Sequence, residues 1–171
     1  MIRNREDTMR KNIRNHKGFS LIELLIVVAI ILVIAGIAIP NLLRSRIVAN
    51  ESGAAEAVRV VNSAQVSYYS TYGTAGYASS MSALGGSCTS TLPNSSAACL
   101  VDSVLATGTK SGYIYNITVS ATSPAQNYNV IASPQSPGFS GVHYFCSFED
   151  ATLRYSMTPI TSCTSAISAE Q

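Results

Sequence analysis

Tryptophan is absent from this chain, and only 12% of its 171 residues are charged, about half the usual share for a soluble domain. The two histidines, His16 and His143, are far apart. No GxSxG elbow, phosphate-cradling glycine loop or carboxylate pair with an acid–base partner occurs. An enzyme is therefore not expected, and no cofactor either. The four cysteines include no CxxC spacing, which argues against zinc. After residue 18 no basic patch with interleaved aromatics appears, so direct nucleic-acid binding is not expected. Charge this sparse leaves two readings: a membrane segment, or a surface that neighbours cover. One domain is all the length allows.

The charge that is present is unevenly placed. Six of the eleven basic residues (Arg3, Arg5, Arg10, Lys11, Arg14, Lys17) and two of the nine acidic ones precede Gly18. Removing residues 1–18 leaves five and seven, turning a formal +2 into −2. A basic leader on a slightly acidic body is a targeting arrangement; translation from Met9 instead of Met1 would shorten it without altering anything after Gly18. From Leu24 to Ile39 there is no charge at all, and the apolar run from Phe19 to Leu43 is broken only by Ser20, Glu23, Pro40 and Asn41. That is enough to cross a bilayer as a helix, which takes about 20 residues. The preceding Lys and Arg put the N-terminus in the cytoplasm and the body outside. An ordinary secretory signal would be shorter and would end in a small-residue cleavage site.

The run opens Gly18-Phe19-Ser20-Leu21-Ile22-Glu23-Leu24-Leu25. Gly18 has no side chain, so the chain there can lie extended in a protease cleft. Glu23 is a carboxylate within an apolar segment, a placement costing about 2–3 kcal/mol on insertion scales, and it calls for a cation. The amine of Phe19 lies four residues away, about one helical turn.

With the apolar run and Pro40, this motif resembles the type IV pilin and type II secretion pseudopilin superfamily, specifically over about residues 17–45 and loosely beyond. The resemblance implies a prepilin: the inner-membrane precursor is cut after Gly18 by a prepilin peptidase, which also methylates Phe19. The subunit then polymerises into an extracellular homopolymeric filament, with Glu23 meeting a neighbour's amine. An assembly platform, motor ATPase and outer-membrane pore are implied partners. Surface attachment, twitching motility and DNA uptake are things such fibres do. Some pseudopilins carry an acid-rich C-terminal calcium loop; residues 158–171 contain only Glu170, which favours a pilin. A minor pilin, a pseudopilin, and a membrane-anchored monomeric binding protein or enzyme are the alternatives.

Pro40 removes the bond to the Gly36 carbonyl, so Gly36–Pro40 is expected to kink, and the resemblance implies that it unwinds in a filament. Over 44–72, Ala54, Ala57, Val58, Val61, Ala64 and Tyr68 recur at three- and four-residue steps opposite Arg44, Arg46, Glu51, Glu56 and Arg59, an amphipathic helix. Residues 73–112 read as a connecting loop with one short helix over Ala97–Ala106. Four strands are expected at Tyr113–Ser120, Tyr128–Ala132, Val142–Phe148 and Leu153–Met157, with Glu149-Asp150-Ala151 as a turn. The fold expected is α+β: a long N-terminal helix packed against a C-terminal antiparallel sheet over 113–171. Cys88, Cys99, Cys146 and Cys163 read as two disulfides in an exported domain. Three connectivities exist; 88–99 and 146–163 join the easiest neighbours.

Overall fold

The computed structural model describes residues 18–86 and 92–169. Helix α1 runs from Leu21 to Thr71 with Pro40 inside it. Contacts divide the chain into two units, 1–39 and 40–171.

In the first unit every large apolar side chain from Leu21 to Ile39 is exposed. This part of α1 is long and apolar enough to cross a membrane. Its Ile and Val are indifferent helix formers in water. In hydrocarbon, however, only the helix satisfies every backbone group within one segment.

The second unit begins with the rest of α1, whose Ala54, Ala55, Ala57, Val58, Val61, Ala64 and Tyr68 are buried. Small alanines on that stripe let the helix backbone approach the sheet closely. Two short helices follow, α2 (Met81–Leu84) and α3 (Ser103–Ala106). The helix expected from Ala97 is confined to α3 because the preceding residues are used elsewhere. Ala98, Cys99 and Leu100 donate backbone N–H groups to Ala83, Gly85 and Leu84. Asp102 then caps α3, accepting from Val104 and Leu105.

The sheet is an antiparallel meander in chain order: β1 (Thr109–Lys110), β2 (Tyr113–Val119), β3 (Tyr128–Pro134), β4 (Tyr144–Phe148) and β5 (Arg154–Ser156). It has one strand more than expected. β1 joins β2 through Ser111 and Gly112, both at positive φ, the two-residue turn whose twist matches a hairpin. β3 runs two residues past Ala132, ending on Pro134 opposite Tyr113, where a missing donor is tolerated.

Tyr113, Tyr115, Tyr128, Val130, Ala132 and Phe145 pack with the α1 stripe in the main core. The other sheet face is also partly covered, since Ile131, Cys146 and Cys163 form a second cluster with Phe148, Ile160 and Ile167. The tail is held there by the Cys146–Cys163 disulfide and by the Tyr155 N–H donating to Ser168. Cys88 lies outside the described residues, and its pairing with Cys99 stays an expectation.

The Cys146–Cys163 loop spans 17 residues, and a closure of that size is worth roughly 3 kcal/mol. Urea unfolding of the full chain in detergent should show Cys146→Ser/Cys163→Ser less stable by about that amount. An unchanged midpoint would mean that the tail's apolar contacts alone hold it in place.

Candidate functional site

Because α1 starts at Leu21, Ser20 is its N-cap and Glu23 its third helical residue. The Glu23 carboxylate accepts the Ser20 backbone N–H at 2.9 Å, and the Ser20 carbonyl accepts from Leu24 at 3.2 Å. The first is the carboxylate half of a capping box: it satisfies an orphan donor and puts negative charge at the positive end of the helix dipole. Glu23 thus has a structural task in the uncut chain that the apolar-run argument does not assign to it. The S-x-x-E spacing was its signal.

Phe19 precedes the helix and is 74% exposed. Nothing lies within 4 Å of where a Cβ on Gly18 or on Gly36 would stand. Among the described residues, then, no steric demand of this chain requires glycine at either place. The helix is assigned without interruption through Gly36 and Pro40.

The head's polar side chains serve as anchors. His143 lies half-buried just before β4, with Nδ1 3.0 Å from a Glu51 carboxylate oxygen. The other Glu51 oxygen accepts the backbone N–H groups of Val142 at 2.7 Å and His143 at 3.0 Å. Buried Asn62 donates to Ser147 Oγ at 2.9 Å and accepts from the Tyr128 hydroxyl at 3.0 Å. Gln65 exchanges two 2.9 Å hydrogen bonds with the backbone of Ala78, fixing the chain just after α1. Arg154 is buried in a two-pronged pair with Asp150 at 3.0 and 2.6 Å and lies 4.3 Å from the centre of the Phe148 ring. That pairing holds the Asp150 carboxyl below its ordinary range. Burial pushes the phenols of Tyr115 and Tyr128 up, so they stay protonated hydrogen-bonding groups.

Apart from the turn role of Asp150, sequence reasoning assigned none of these bonds. The partner of Glu51 is 91 residues away, and no local pattern announces it. Among the described residues no three His, Cys, Asp or Glu side chains gather as metal ligands.

Among the described residues, α1 is long and apolar enough in its first part to cross a membrane, and an α+β head follows. The family described as "Prokaryotic N-terminal methylation motif" matches residues 13–39. The type IV wide pilus major component PilA4 of Thermus thermophilus is 62% identical over 39 residues, which is 23% of this chain and 30% of that protein. No solved structure matches the chain. Over this N-terminal segment the chain is similar to a type IV pilin, and its described residues form a long helix and an antiparallel sheet, an α+β fold.

Burial raises the pKa of Glu51, but the N–H groups of Val142 and His143 and the His143 ring outweigh it and hold the carboxyl below 4.5. A carboxyl depressed in the folded state adds stability above its unfolded value and loses it as pH falls through the folded one. The Tm gap between wild type and Glu51→Gln should therefore be full at neutral pH and shrink below about pH 4.5. Asp102 and Asp150, depressed in both proteins, cancel in that comparison. A gap independent of pH would mean that the Glu51 charge contributes nothing.

Proposed function

We propose that this chain is the major pilin, the repeating subunit of a type IV pilus. One observation carries this reading: the motif from Gly18 to Glu23 heads a helix segment whose large apolar side chains are all exposed. Such a segment needs lipid around it before assembly and other helices around it afterwards. Lipid tails are as apolar as Leu, so that exchange is driven by packing and polar pairing rather than by leaving water.

The precursor sits in the inner membrane with its leader in the cytoplasm and its head outside. A prepilin peptidase hydrolyses the Gly18–Phe19 bond and the new amine is methylated. That nothing among the described residues crowds a side chain at 18 supports a requirement set by the peptidase. Cleavage leaves a cation next to the Ser20–Glu23 cap. Glu23 then accepts the amine of a neighbouring subunit, which neutralises a carboxylate that is expensive in an apolar setting. The assembly platform and motor drive polymerisation, and Gly36–Pro40 is where α1 gives way when helices pack. The finished fibre is extracellular and serves attachment, motility or DNA uptake, without this subunit itself binding nucleic acid.

Glu23→Gln and Glu23→Ala separate the two tasks of that side chain. The glutamine oxygen still accepts the Ser20 N–H but carries no charge; alanine does neither. Both variants should be cleaved normally, and both should lower sheared filament yield by about tenfold or more, the worth of a pair of roughly 1.4 kcal/mol. Wild-type yield from Glu23→Gln would leave only the cap. Electron microscopy of sheared wild-type cells tests the family role: long surface fibres containing this chain are expected. Short periplasmic fibres would indicate a pseudopilin instead, and none at all an anchored monomer.

A further inference from the structure

The basic residues after Gly18 are Arg44, Arg46, Arg59, Lys110 and Arg154. Lys110 lies 2.8 Å from Asp102, Arg154 2.6 Å from Asp150 and Arg59 3.6 Å from Glu56. Arg44 and Arg46 are exposed, and among the described residues neither is paired with a carboxylate. Glu51, the next acidic residue along α1, is taken by Val142 and His143. The polar neighbours are engaged too: Ser45 donates to the Asn41 carbonyl at 3.0 Å and Asn50 to the Ser140 carbonyl at 2.9 Å. In a chain with so little charge, two adjacent cations without an anion of their own point to an anion outside the chain.

Their place in the sequence narrows what that anion is. Residues 24–43 carry no charge, and hydrocarbon takes about 20 residues of helix. With that segment in a bilayer, Arg44 and Arg46 are the first charged side chains to emerge, at headgroup level. Leu42, just before them, is 70% exposed, as a lipid-facing residue would be.

Successive helical residues are about 100° apart, so the two arginines leave α1 about 200° apart. A protein docked on one side of the helix would meet only one of them. A headgroup layer surrounds the helix and meets both. Arginine can lay its stem along apolar surface while its head reaches the interface, and its planar fork holds phosphate oxygens with two hydrogen bonds.

We propose that Arg44 and Arg46 clamp lipid phosphates in the leaflet on the head's side and so set the depth of α1 in the membrane before assembly. The proposal rests on the membrane-held precursor described above and names what holds it in register.

The chain contains no tryptophan, so Val33→Trp, midway along residues 24–43, is a single depth reporter. The full-length precursor carrying it is reconstituted at high lipid excess into phosphatidylglycerol vesicles, with brominated lipids that quench either at the bilayer centre or near the headgroups. Quenching should be strongest at the centre. Adding Arg44→Gln/Arg46→Gln should lower the centre-to-headgroup quenching ratio several-fold, since two basic residues at an anionic surface bias the helix position by about thirtyfold. Formation of the Cys146–Cys163 disulfide checks that the head is folded. In vesicles of digalactosyldiacylglycerol, which has no phosphate, the arginine and glutamine forms should give the same ratio. An unchanged ratio in phosphatidylglycerol would overturn the clamp, and so would an equal drop in the galactolipid. A drop that depends on the protein-to-lipid ratio would mean that a second copy supplies the anion, which also overturns it. No quenching at any depth would overturn the membrane-held reading itself.

Discussion

Backbone N–H and C=O groups in hydrocarbon have no water to bond, so a stretch apolar enough to cross a membrane, as the first part of α1 is, meets that demand only as a helix whatever its side chains prefer. α1 runs through this sequence dense in Ile and Val and continues past Ile39, where its buried stripe packs in the core of the head. The two stretches meet opposite demands. The first keeps its large apolar side chains exposed, and the second buries a stripe of alanines, valines and Tyr68 against the sheet. A break at Pro40 would have cost about 3 kcal/mol less locally, yet the helix is retained there.

Given that helix, the head is assembled by a few polar side chains that α1 presents to distant parts of the chain. Glu51 takes the entry to β4, Asn62 takes β3 and β4, and Gln65 takes the segment after the helix. Asn62 and Gln65 would be costly if left unpaired in the core, which makes the docking of helix on sheet specific in register. Apolar packing alone would tolerate sliding by a turn. The sheet's far face is closed differently, by a disulfide and a small apolar cluster.

Legibility follows the range of the interaction. The span of α1, its buried stripe and the four longer strands were all readable, because periodicity of 3.6 or 2 residues is written locally. So was the S-x-x-E signal at Ser20, although reading Glu23 only as an intramembrane charge passed over it. β1 was missed because a two-residue strand carries no periodicity, even though Ser111-Gly112 marked its turn. The helix expected from Ala97 shrank to α3 because residues 98–100 bond back to 83–85, a choice made across the fold.

The sequence by itself carried the resemblance to the pilin superfamily: a basic leader, a glycine before an apolar helix, and a carboxylate within it are local features needing no partner in the chain. Only the tertiary structure decided which polar residues anchor the head, and that Arg154 is buried against Asp150 and Phe148. Those outcomes depend on groups tens of residues apart arriving at hydrogen-bond or van der Waals distance, and no local pattern encodes that meeting.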